Sequence, residues 1–133
     1  MTRNKVAFVP AVLLLCLAAC ASINPLGYAE SAEQKAYALY GTFVVFEEQA
    51  AKAYADPVTP VKAKQALSRA DGVAKPAVDA LMIAAREVIR LRRDYDAGKI
   101  TKDNFIEAVD RLEALYEQTR PAVEDLVAAV KEN

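Results

Sequence analysis

From Ala63 to Tyr95 the residues Ala63, Leu67, Ala70, Ala74, Ala77, Leu81, Ala84, Val88, Leu91 and Tyr95 advance by alternating steps of four and three. A strand brings every second residue to one face, so this spacing excludes a sheet and commits the segment to one long helix with a heptad seam. Half of the seam is alanine, which suits close approach to a neighbouring helix. One apolar stripe cannot be buried by one helix alone, so the chain needs partners for it.

Two further segments carry the same period. Phe105, Ala108, Leu112, Leu115, Ala122, Leu126 and Ala129 predict a third helix, in which Thr119 is the one polar residue on the stripe. Ala36, Leu39, Phe43, Phe46, Ala50 and Ala53 predict the first, within Ala32 to Asp56. The β-prone run Thr42 to Phe46 lies inside that stretch, where packing is expected to override local propensity. The expected fold is all-α: a three-helix up-down-up bundle with long, proline-kinked second and third helices, preceded by a signal-peptide helix.

The connections agree with three helices. Pro57 and Pro60 end the first helix, and Thr59 is expected to cap the second with Pro60 at its first position. Gly98 suits a left-handed C-terminal cap, Ile100 its apolar contact, and Thr101 the next N-cap, so the second and third helices form an antiparallel hairpin. In that hairpin Pro76 and Pro121 fall at one level, each on the outward face. They belong to two matching stretches, AKPAVDAL from Ala74 and TRPAVEDL from Thr119, which read as a weak internal repeat.

The N-terminus has a different character. Arg3 and Lys5 precede an uncharged run from Val6 to Ala19 that is too short to span a bilayer and ends in small residues, the layout of a secretory signal. Leu17-Ala18-Ala19-Cys20 resembles the lipobox of bacterial lipoproteins. The resemblance implies removal of residues 1–19 and acylation of Cys20, the lipid attachment site. Residues 20–28 are then a lipidated tether and 29–133 the helical bundle domain. In proteins of this kind an aspartate after the cysteine favours the inner membrane; Ala21 and Ser22 stand here, so the expected site is the outer membrane, facing the periplasm, with the inner membrane as the alternative.

Charge and composition narrow the functional classes. The chain has 17 Lys and Arg against 18 Asp and Glu, and loss of Arg3 and Lys5 leaves 15 against 18, so the domain lacks the cationic excess of a nucleic-acid binder. There is no histidine. Ser-His and Cys-His nucleophiles are thereby excluded, no metal site or cofactor is expected, and no catalytic residue is assigned. The segment around Gly98 is not a calcium loop either: with Gly98 at the invariant position, Arg93, Tyr95 and Ala97 occupy ligand places.

Two groups remain as candidate surfaces. Arg86, Arg90 and Arg93 form a basic stripe that is expected to face Glu113, Asp110 and Glu107 across the hairpin, or else to meet an anionic partner. Tyr37, Tyr40, Phe43 and Phe46 are candidate ligand-facing aromatics, or core residues filling space left by alanines. The mature region resembles small helical lipoproteins of Gram-negative bacteria, which implies a non-enzymatic accessory or scaffold. Its partners would be the membrane, through the N-terminal lipid, and an envelope protein. The alternatives are a carrier of a hydrophobic or lipid-like ligand, and a peptidoglycan-associated structural protein, although the latter end on lysine and this chain ends Lys131-Glu132-Asn133.

Overall fold

The computed structural model describes residues 24–132. The expected signal-peptide helix and Cys20 lie outside them. Three helices account for nearly all of the described chain: α1 (Pro25–Ala55), α2 (Val61–Asp96) and α3 (Lys102–Lys131).

Local chemistry sets their ends. The Asn24 side chain accepts a hydrogen bond from the Leu26 amide at 3.2 Å, and Pro25 supplies a first-turn residue that needs no backbone donor. Helix α1 therefore starts ahead of Ala29, and Pro25 to Tyr28 belong to the bundle rather than to a tether. The α1–α2 turn also departs from expectation. Pro60 is the N-cap of α2, its carbonyl accepting from the Lys64 amide at 3.0 Å, and no side chain caps the helix. Asp56 organises the turn instead, its carboxylate accepting from the Val58 amide at 2.9 Å.

The α2–α3 turn forms as the sequence predicts. Gly98 has φ +68°, and the amides of Gly98 and Lys99 bond back to the carbonyls of Tyr95 and Asp94 at 2.9 and 2.8 Å, which closes a Schellman motif. Ile100 packs against the core, and the Thr101 hydroxyl accepts from the Asn104 amide at 3.2 Å. Just inside the turn the rings of Tyr95 and Phe105 stack with centroids 5.1 Å apart.

Contacts along the helices fix the up-down-up order. Glu33 and Glu47 of α1 meet Arg92 and Lys75 of α2, so those helices run antiparallel, while Tyr28 and Lys35 meet Asp110 and Glu113 of α3 in parallel sense. Phe43, Leu67, Leu81, Phe105, Leu112 and Leu126 are buried at the shared axis.

Each helix of the hairpin buries more than the single stripe read from the sequence. On α2 the additional row is Asp71, Val78, Ala85 and Arg92, and on α3 it is Val109, Tyr116, Val123 and Val130, each spaced by seven. A helix in a three-helix bundle has two neighbours, so a second row beside the first must also be covered.

Both α2 and α3 run unbroken through their prolines, and Pro76 and Pro121 are exposed. At the same level the hydroxyl of Thr119, buried within α3, donates to the Ala77 carbonyl of α2 at 3.3 Å. The polar interruption in the α3 stripe is thus satisfied by backbone across the hairpin. The matching stretches occupy matching environments: Ala74 and Thr119, Val78 and Val123, and Leu81 and Leu126 are all buried, while Lys75 and Arg120 are exposed.

None of the three helices is long and apolar enough to cross a membrane. Because the helices continue through the prolines, the double substitution Pro76→Ala, Pro121→Ala should raise the unfolding temperature. An interior proline is less favourable than alanine by about 3 kcal/mol, so even partial recovery should give a rise of several degrees. Thermal melts followed by circular dichroism test this, and a lower midpoint would mean that the prolines are required for the fold.

Candidate functional site

The surface groups with the most defined geometry hold α1 against the hairpin. On the α2 side the Arg92 guanidinium bonds to Glu33 at 2.6 Å and the Lys75 ammonium to Glu47 at 2.8 Å. On the α3 side the Tyr28 hydroxyl donates to Asp110 at 2.8 Å and the Lys35 ammonium to Glu113 at 2.9 Å. Burial, helped by the hydrogen bond to Asp110, pushes the Tyr28 phenol up to about 12. Burial also raises the Glu33 carboxyl, against the pull of Arg92. The bond from Lys35 to Glu113 raises that ammonium, and the bond to Glu47 does the same for Lys75.

These contacts dismantle the expected pairing of basic and acidic stripes across the hairpin. Asp110 and Glu113 turn toward α1, and Glu107 lies 4.0 Å from Arg111 on its own helix. Arg90 is held within α2 by Glu87 at 2.6 Å and Asp94 at 3.2 Å. Its bond to Glu87 keeps that carboxyl below the usual range. Arg86 and Arg93 are both exposed, and neither reaches an acidic partner on α3 among the described contacts. The arginine that does cross between helices is Arg92, which lies on the buried row and so reaches α1 rather than α3.

The four aromatics do not converge on one pocket. Phe43 is in the core, and Phe46 is half-buried with the Lys131 ammonium 5.9 Å from its ring centre. Tyr37 and Tyr40 are exposed by about two-fifths, as is Val44. Helical geometry explains the division. Glu33, Tyr37, Tyr40, Val44 and Glu47 advance by fours and threes along the flank of α1 beside its buried stripe. The exposed strip therefore lies between the two ion pairs to α2.

Sequence reasoning missed the residues that clamp α1. The signal was present in Glu33 and Glu47, two heptads apart, and in the seven-residue row that carries Asp71 and Arg92. Neither is readable until α2 is known to have two neighbours. Among the described residues no group of three His, Cys, Asp or Glu side chains is placed to hold a metal ion.

Comparison with known protein families, curated proteins and solved structures yields no match for this chain. The site must therefore be read from its own geometry.

Two outcomes follow from the clamp. Arg92→Ala should destabilise the bundle by about 1–2 kcal/mol because it leaves a partly buried carboxylate without its donor, whereas Arg86→Ala and Arg93→Ala should each change stability by less than about 0.5 kcal/mol. Denaturant titrations rank the three. Tyr28 supplies the pH test: its proton is held longer in the folded chain, so its stabilising contribution is complete below about pH 10 and is lost as pH rises toward 12. Tyr28→Phe should flatten the stability decline in that window, and phenolate absorbance should show one tyrosine titrating late.

Proposed function

We propose that the protein is a lipid-anchored accessory protein of the bacterial cell envelope, non-enzymatic, acting as a scaffold through contact with another envelope protein. The observation that carries this reading is the short distance between the lipobox-like cysteine and the first helix. Four residues, Ala21 to Asn24, separate Cys20 from Pro25. At most about 3.6 Å per residue, five steps of extended chain span roughly 18 Å. An acylated Cys20 would hold the bundle against the membrane surface, without the reach of a flexible linker. Several acyl chains, each methylene contributing about 0.8 kcal/mol, would make that attachment durable.

The surface offered to a partner is the α2-side flank of α1, between the two ion pairs to α2. Tyr37, Tyr40 and Val44 form an exposed apolar strip there. Exposed aromatics beside charged residues are the composition of protein contact surfaces. The expected location is the periplasmic face of the outer membrane, on the strength of Ala21 and Ser22 after the cysteine.

The test is metabolic labelling with a fatty acid, followed by fractionation. The wild-type chain should carry label and sediment with membranes. Cys20→Ser should accumulate as an unlabelled, uncleaved precursor. Normal processing of that variant would overturn the proposal.

A further inference from the structure

We infer that the face of α1 pointing away from the hairpin is a dimer interface, on which a second copy of this chain packs its own α1 in antiparallel sense. From Ala36 to Phe46 the helix carries no charged residue on any side. The core takes Phe43 and, in part, Leu39 and Phe46, which leaves Tyr37, Ala38, Gly41, Val44 and Val45 exposed. The solvent side of a surface helix is ordinarily its charged side, so an apolar stretch there marks a contact surface. Gly41 lies at the middle of it. A Cβ at Gly41 would meet no atom within 4 Å, so nothing in the monomer calls for glycine, which is less favourable than alanine inside a helix. Close approach of a second backbone does call for it.

The register of the face identifies the occupant. Glu30, Gln34, Tyr37, Gly41, Val45, Glu48 and Lys52 are all exposed and advance by steps of four, three, four, four, three and four, a stripe with the same spacing in either direction from Gly41. In an antiparallel pair crossing at Gly41, Tyr37 meets Val45 of the second copy and Gln34 meets Glu48, an amide donor against a carboxylate. At each end of the contact Glu30 meets Lys52, whose ammonium bonds to Glu48 of its own helix at 2.7 Å and has further N–H groups to give. A parallel pair sets Glu30, Glu48 and Lys52 each against its own like charge, so the charges select the antiparallel one. The contact is isologous and closes at two copies. The two Asn24 residues then lie at opposite ends of the pair but at one height along its two-fold axis, so both chains can be tethered to a single membrane. The inference depends neither on acylation of Cys20 nor on a partner at the α2-side flank.

The experiment is sedimentation equilibrium of the full-length chain in density-matched non-ionic micelles, with Cys20→Ser measured beside it. Both should show a reversible monomer–dimer equilibrium and a melting temperature that rises with protein concentration, which separates this inference from the anchoring proposal. Gly41→Leu should weaken the dimer by at least about tenfold while the circular dichroism of the helices holds, because the monomer has open space at that position. Orientation is read with a short bismaleimide on chains in which Cys16 and Cys20 are replaced by serine. A mixture of Glu30→Cys and Lys52→Cys chains should link one variant to the other, and neither variant alone should link to itself. A chain that is monomeric at every concentration leaves the face to a different protein or to a lipid surface, and overturns the inference. So does a dimer that Gly41→Leu leaves intact, or linking of Glu30→Cys to itself in place of Lys52→Cys.

Discussion

The bundle depends on how closely α1 can lie against the α2–α3 hairpin. Ala29, Ala32, Ala36 and Ala50 are all buried, so most of the core face of α1 is methyl groups. A face built this way brings backbones near one another, but it leaves little apolar area to hold the helix in place. Phe43 provides one large anchor at mid-length. Leu39 and Phe46 pack against the core beside it, and long polar side chains reach around the edges: Glu33 and Glu47 on one side, Tyr28 and Lys35 on the other. The same closeness explains why Tyr37 and Tyr40 are outside. The alanine seam has no room for them, and the flank does.

The hairpin is organised by the opposite arrangement. Large residues from both helices meet at its core, among them Leu67, Leu81, Leu112 and Leu126, and the turn is fixed by the left-handed Gly98. Thr119 fits here because the Ala77 carbonyl lies across from it. A valine at that position would fill the same space, so the hydroxyl adds a directional contact at the level of the two prolines.

Much of this architecture is legible in the residue pattern. Alternating steps of three and four identify three helices, Gly98 and Thr101 locate the tighter turn, and the outward register of Pro76 and Pro121 follows from the seam. The boundaries that differ do so for local reasons: Asn24 caps α1 early, and Asp56 rather than Thr59 organises the first turn. The second buried row is not legible, because periodicity reveals which residues can share a face but not how many neighbours that face must serve. The candidate surfaces suffer most from this. Hairpin register alone pairs Asp110 and Glu113 with α2, whereas both belong to the contact with α1. Asp71 and Arg92, at the two ends of that second row on α2, read as surface residues although Val78 and Ala85 between them are buried.

The Schellman turn puts the end of α2 and the start of α3 beside the start of α1, so both the α1–α2 turn and the end of α3 lie at the far end of the bundle. With α3 thirty residues long and each residue rising 1.5 Å, that far end stands about 45 Å away. Val58, almost fully exposed, is carried there. The described bundle is a post of set height: its reach comes from helix length, and lengthening or shortening it would take whole heptads added or removed in register from all three helices.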